Sequence, residues 1–320
     1  YNGGDKLFLP VENIDVLTLT AASNSGLPIH YTVIQGQADL HGNLLTLKGA
    51  GQVILEARQL GSSLYESADS VELTIRVRKA RLRAWPLDIV RETGQQNPQF
   101  SISYDGFLFE DNVSSINQIP VVSTEADSSS PVGIYPLSLT GGRADNYSFI
   151  YYDGFLSVVD SGKKNQWIYF NQNLAGFKPE DHVRLNALTN SGLSVSYEII
   201  DGLHIVSRPE PDVLKFNSTG TVVLRAFQDG DESYNPAPSI LRVVQVTGFE
   251  QRINWPQDFS EVVYGDTLEL TAVTSSGLPV TFDLLQGHAD LVNGQLTILG
   301  IDKEIVLLAR QSGDSQFLLA

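Results

Sequence analysis

Five histidines, His30, His41, His182, His204 and His288, are the side chains best suited to exchange protons near neutral pH. They lie far apart, with no His-x-x-x-His pair and no carboxylate–histidine signature that would gather a metal or activate a nucleophile. Cysteine is absent, which removes disulfides, thiolate metal sites and cysteine nucleophiles together. No Gly-x-Ser-x-Gly elbow, phosphate-cradling glycine loop or dinucleotide fingerprint occurs. These spacings predict a protein that is not an enzyme. One acidic run, Asp229-Gly230-Asp231-Glu232, offers hard oxygen ligands of the kind calcium prefers, and Asp229, Asp231 and Glu232 are its candidate ligands. The alternative is a solvated turn, preferred because comparable loops read Leu60-Gly61-Ser62-Ser63 and Ser312-Gly313-Asp314-Ser315 and do not keep the acidity. No cofactor other than calcium is admitted.

Aromatic residues are the second kind of candidate. Tyr147, Phe149 and Tyr151 alternate along one strand face, with Tyr104, Phe107, Phe109, Tyr152 and Phe155 elsewhere in the same stretch. Exposed, such rings stack on sugars; buried, they are core, each giving Tyr a local hydroxyl partner. Core packing is the preferred reading and Tyr151 the residue kept as a binding candidate. Trp167 is the other. Its counterpart in a later copy of the pattern is Arg252, whereas Phe170 and Trp255 correspond and are expected inward. Trp167, three residues from Phe170, should face outward, onto a ligand or into a domain junction, with the junction preferred.

The elements that must position these residues are strands. Val71-Glu72-Leu73-Thr74-Ile75-Arg76-Val77-Arg78 alternates apolar and polar side chains at period two. Leu44–Leu47, Val53–Ala57, Val195–Ile199 and Leu296–Ile298 look similar, and Gly, Asn, Asp and Pro punctuate the chain at sandwich-like spacing. Gly42-Asn43 and Asn293-Gly294 are hairpin turns at matching positions. No convincing amphipathic helix is found.

The chain repeats itself. Ser25-Gly26-Leu27-Pro28, Ser191-Gly192-Leu193 and Ser276-Gly277-Leu278-Pro279 stand at glycine intervals of 166 and 85 residues. The copies end alike: Ala57, Gln59, Gly61, Tyr65 and Ala68 match Ala226, Gln228, Gly230, Tyr234 and Ala237, and then Ala309, Gln311, Gly313, Phe317 and Ala320. Gln166-Trp167-Ile168-Tyr169-Phe170 matches Gln251-Arg252-Ile253-Asn254-Trp255. The middle copy departs most, with Ser194 in place of proline and an insertion, Ser207–Asp212, expected to lengthen a turn. The first copy is expected to lack part of its opening strand and the third its last strand.

This Gln-x-Ile-x-aromatic opening, Ser-Gly-Leu-Pro turn and Ala-x-Gln-x-Gly ending resemble the bacterial immunoglobulin-like repeats of very long Bacteroidota surface proteins. Residues 80–159 resemble a different module, the MBG domain, through Asn97-Pro98, Tyr104-Asp105-Gly106-Phe107, Pro120, Ala126, Gly133-Ile134-Tyr135, Gly141-Gly142, Asn146-Tyr147 and Gly154-Phe155-Leu156-Ser157-Val158. The resemblance implies an all-β chain of tandem immunoglobulin-like β-sandwich domains arranged as an elongated rod. The expected domains are 1–79, an immunoglobulin-like repeat; 80–159, an MBG-type sandwich; 160–247, a repeat; and 248–320, a repeat. It supplies no catalytic or ligand-binding residues to carry over. What it implies functionally is a non-catalytic stalk or spacer of a large bacterial cell-surface or secreted adhesin-like protein. A glycan- or protein-binding adhesin module, or a segment of an extracellular filament, is the alternative.

Charge agrees with that setting. Thirty-seven acidic against 21 basic residues give a net charge of −16, which repels nucleic acid and anionic membrane surfaces. The longest apolar runs, such as Ile305–Ala309, are strand-sized and far below a bilayer span. The expected partners are neighbouring immunoglobulin-like domains of the same longer chain and surface glycans or proteins, with no nucleic acid and no membrane insertion. The location expected is the bacterial cell surface or the extracellular space. With Tyr1 at its start and no methionine, the sequence reads as an internal piece of a longer chain. Asn112-Val113-Ser114, Asn146-Tyr147-Ser148 and Asn217-Ser218-Thr219 fit the N-glycosylation pattern and are read as chance matches.

Overall fold

The computed structural model describes residues 7–10, 16–301 and 304–320; the remainder of the first expected domain's start, residues 1–6 and 11–15, lies outside them. The chain is all-β, of immunoglobulin-like sandwich type; the one helical element among the described residues is a single 3-10 turn, Val113–Ser115. It divides into two compact units, 1–164 and 165–320, and the boundary falls in the polar stretch Asp160-Ser161-Gly162-Lys163-Lys164-Asn165.

Unit 1 begins with two sheets that share one core. Val71–Arg78 pairs antiparallel with Gly51–Arg58 and parallel with Leu7–Pro10, and Gly51–Arg58 in turn pairs with His30–Gln35. Facing them, Leu44–Leu47 pairs with Leu17–Thr18 and Ala38–His41. Period-two patterning puts Val53, Leu55, Ile75 and Val77 of one sheet against Leu45 and Leu47 of the other, all buried. At about 1.5–3 kcal/mol per buried aliphatic side chain, this layer is what makes the two sheets cohere. The hairpin turn is where the sequence placed it: Gly42 has φ +64°, and in the later copy Asn293 and Gly294 have φ +51° and +80°.

One residue, Lys79, separates Arg78 from the next strand, Ala80–Pro86, which pairs antiparallel with Ile102–Asp105 and parallel with Tyr147–Tyr151. A second sheet holds Val121–Ser123, Gly133–Thr140, Gly154–Val159 and Ile89–Glu92 in that order. The short link is clamped from the side. The Ala50 amide donates to Asn146 Oδ1 at 3.0 Å, the Ala80 amide to the Asn146 carbonyl at 2.9 Å, and Lys79 Nζ to the Ala144 carbonyl at 2.7 Å.

Unit 2 repeats the first architecture. Gly220–Gln228 lies between Ser196–Asp201 and Ala237–Val246, and its Val222, Leu224 and Ala226 pack with Phe170, Leu214, Phe216, Val244 and Val246. The insertion departs from expectation. Ser207–Glu210 extends the strand Val206–Glu210, with a register shift between Ser207 and Glu210, and leaves only Pro211-Asp212 as the turn to Val213–Phe216. Arg184 holds the lengthened hairpin from the facing edge through Glu210 at 2.5 Å and Asp212 at 2.6 Å. From residue 253 onward the same pattern recurs, with Val306–Arg310 paired to Thr281–Gln286 and Gln295–Ile298 between Thr267–Glu269 and Ala289–Val292.

Candidate functional site

The residues common to the repeats form an internal polar brace. Gln166 is buried; its Nε2 donates to Gln228 Oε1 and, at 2.8 Å, to the Asn235 carbonyl, while Ser191 Oγ donates to its Oε1. Ser191 Oγ also accepts from the Leu193 amide at 3.2 Å, and the Gly230 amide donates to Gln228 Oε1 at 2.6 Å. Eighty-five residues later Gln251 makes the same contacts with Gln311, the Leu318 carbonyl and Ser276. Buried amides cost free energy unless every donor and acceptor finds a partner, so a glutamine at this place needs both the facing glutamine and the serine turn. That requirement joins the opening strand, the Ser-Gly-Leu turn and the Ala-x-Gln-x-Gly ending into one structural motif.

The acidic loop belongs to the same brace. Asp231 Oδ1 accepts the Ser233 amide at 2.7 Å and the Tyr234 amide at 2.8 Å, and the Asp231 amide donates to the Tyr234 carbonyl. Asp314 accepts from Gln316 and Phe317 in the same way, and Ser62 Oγ takes the Leu64 and Tyr65 amides. The position is a turn cap whose acceptor can be carboxylate or hydroxyl. The glycine before it holds φ of +79°, +82° and +74° in the three copies, and a Cβ at Gly61 would stand 2.8 Å from the Tyr65 carbonyl oxygen. Asp229 and Glu232 flank this turn without joining Asp231 in a cluster. Among the described residues no three His, Cys, Asp or Glu side chains group so as to hold a metal.

Tyr151 lies half-buried. Its ring stacks on Phe149 at 5.5 Å and 21°, and its hydroxyl donates to the Gly141 carbonyl. Gly142, at φ +84°, leaves room for that contact, since a Cβ there would stand 2.5 Å from the Tyr151 hydroxyl and 2.9 Å from Pro120 Cγ. Tyr147 is buried; its hydroxyl donates to Asp111 Oδ2 at 2.6 Å and accepts the Leu108 amide at 3.0 Å. Burial, with the Asp111 carboxylate beside it, pushes the Tyr147 phenol up to about 12. The buried Arg91 guanidinium meets Asn97 Oδ1 at 2.8 Å and the Asp127 carbonyl, and Asn97 Nδ2 donates to the Ala126 carbonyl at 2.6 Å. Asn97, Ala126, Gly142 and Tyr147 are thus packing and bracing residues.

Trp167 is 49% exposed and Tyr169, which the sequence reading had not singled out, is 51% exposed. Trp167 Nε1 donates to the Tyr169 hydroxyl, and the exposed Leu188 lies opposite Tyr169 across the strand pair. The later copy has Arg252, Asn254 and Val273 there. The period-two spacing of Trp167 and Tyr169 was the available signal for this surface.

Comparison with known proteins agrees with one segment. Residues 86–157 match the family described as MBG domain (YGX type). No curated protein matches the chain. Among solved structures the chain is similar to Drosophila N-cadherin EC1-4, at 10% identity over 97% of this chain and 95% of that one, with a TM-score of 0.25. It is similar to Bacteroides ovatus SGBP-B, in complex with a mixed-linkage heptasaccharide, at 9% identity over 81% and 73%, TM-score 0.20. It is also similar to the surface layer protein SbsC, domains 1-6, at 11% identity over 95% and 48%, TM-score 0.20. At these scores none of them bears on function. No helix among the described residues is long and apolar enough to cross a membrane.

Proposed function

We propose that this chain is a non-catalytic spacer: four sandwich domains, 1–79, 80–159, 160–247 and 248–320, in the stalk of a larger extracellular, adhesin-like protein of a bacterial surface. The observation that carries the reading is the use of the shared residues. Gln166, Gln228, Ser191 and Asp231 are engaged inside one copy, and Gln251, Gln311, Ser276 and Asp314 inside the next, so what these copies preserve is a fold and not a reactive surface. The MBG-type match over 86–157 supports a modular, tandem setting. The mechanism is mechanical, each module burying its own core and short links setting reach.

Small-angle X-ray scattering tests it. A ten-residue strand spans roughly 33 Å, so four modules end to end would extend roughly 130–150 Å and give a radius of gyration of about 40 Å. A compact body of this length of chain would give about 20 Å. The larger value, unchanged by chelator, supports a spacer; the smaller one overturns it.

The exposed Trp167–Tyr169 pair favours a second reading, in which the module holding it is itself an adhesin for the flat faces of sugar rings. Binding on a glycan array that is lost in Trp167→Ala would support it, and silence across a broad array would count against it.

A further inference from the structure

Positive charge is concentrated at one place in this acidic chain. From Leu73 to Leu87 the sequence holds five cations, Arg76, Arg78, Lys79, Arg81 and Arg83, and no carboxylate, within a protein of net charge −16. The strands turn this run into a surface. Ile75 and Val77 are buried in the first core, and Ala80, Leu82 and Ala84 in the next module. A strand buries alternate residues, so one unbroken phase would continue the buried row from Val77 to residue 79. The row resumes at Ala80 instead. That slip of one residue leaves all five cations off the buried rows: Arg76, Arg78, Lys79 and Arg81 are exposed, and Arg83 is held to Asp105 at 3.3 Å with 13% of its side chain exposed.

The neighbouring strands do little to neutralise the run. Arg76 stands opposite Gln52 and Arg81 opposite Ser148, while Arg83 has Asp105. Like charges this close repel one another, and neither core gains from them. The strip is also held in place. Lys79 Nζ donates to the Ala144 carbonyl, and the Ala50 and Ala80 amides donate to Asn146, so the link between Arg78 and Arg81 is fixed from the side.

We propose that Arg76, Arg78 and Arg81 form a binding strip for an acidic polysaccharide, one that carries carboxylates along an otherwise neutral chain. The strip acts whether or not the chain is a spacer. A guanidinium fork meets a carboxylate through two parallel hydrogen bonds, which a lysine cannot do, and four of the five cations are arginine. Five residues of extended chain separate Arg76 from Arg81, roughly 16 Å, enough for contact with several successive sugars. Acidic groups elsewhere on the protein are screened beyond about 8 Å at physiological ionic strength, so a sparsely charged ligand lying on the strip interacts first with the arginines. A nucleic acid fits less well, because residues 76–81 include no aromatic side chain on which a base would stack.

A fluorescein-labelled oligomer of galacturonic acid is the probe, titrated against the 320-residue protein by fluorescence anisotropy. Saturable binding is expected, weakening about tenfold for a threefold rise in salt, as contact through about three cations requires. Arg76→Gln combined with Arg81→Gln should weaken it about tenfold or more. Lys163→Gln combined with Lys164→Gln removes the same charge elsewhere and should leave binding unchanged. A second measurement needs no variant: phenylglyoxal modification of Arg76, Arg78 and Arg81 in the unaltered protein, followed by mass spectrometry, should slow several-fold with the oligomer bound, while that of the exposed Arg252 should not. The proposal is overturned by no anisotropy change, by equal binding of a neutral galactose oligomer, by an equal loss in the lysine variant, by unchanged modification of the three arginines, or by a single-stranded oligodeoxynucleotide of the same charge that binds more tightly than the oligogalacturonate.

Discussion

Tyr147 ties the loop at 108–111 to the strand beneath it, and its phenol is pushed up to about 12 by burial first and by the Asp111 carboxylate second. Unfolded, it titrates near 10. The folded state therefore binds the proton more tightly, so this contribution to stability is complete below pH 10 and is lost as pH rises from 10 to about 12. Denaturant unfolding across that range should show stability falling more steeply in the wild type than in Tyr147→Phe, and the variant should lose the late component of the tyrosinate absorbance titration. The buried glutamines give a second expectation. Gln166→Ala removes the donor to the Gln228 amide oxygen and the Asn235 carbonyl and the acceptor of the Ser191 hydroxyl, and is expected to cost about 1–3 kcal/mol, measurable by urea unfolding. The sequence marked these positions through their recurrence but not their purpose. Gln166 and Gln228 are 62 positions apart, and nothing local to either says that they meet. The same holds for Trp167, whose outward aim followed from its spacing to Phe170, whereas its bond to Tyr169 is a rotamer choice that spacing does not specify.

Strands and turns were more legible. Val71–Arg78 and Leu44–Leu47 follow from alternation alone, because a strand with one buried face must alternate. Ser207–Glu210 was expected to lengthen a turn and pairs as strand instead, one whose exposed pattern carries no periodic signal. Equivalent positions in successive copies should respond differently. Leu224→Ala, in a closed core, is expected to cost about 3–5 kcal/mol, and Leu307→Ala, where the side chain is only partly buried, distinctly less, when both are measured by denaturant unfolding. At the turn after Gly220–Gln228, Asp231→Ala removes the acceptor for two amides and should cost about 1 kcal/mol. Calcium and chelator should leave the melting temperature of the wild type unchanged, since the Asp231 oxygen is already committed; a rise with calcium would restore Asp229, Asp231 and Glu232 as ligands.

For the molecule as a whole, the boundary between units falls among exposed residues 161–165 that include Lys163 and Lys164. Limited trypsin digestion should cut there first and release two fragments that keep their β circular-dichroism signal; earlier cuts elsewhere, or fragments without that signal, would contradict the division. The pairing of first and last strands has a further consequence. Leu7–Pro10 runs parallel to Val71–Arg78, Ala80–Pro86 to Tyr147–Tyr151, and Ile89–Glu92 to Leu156–Val159. When a chain built this way is pulled from its two ends, the paired strands are drawn in opposite directions along their own length. Their hydrogen bonds are then loaded together in shear and must fail as a group, where a hairpin with adjacent ends would peel open one bond at a time. Resistance to tension is therefore written into which strands lie side by side, independently of how many contacts each core contains.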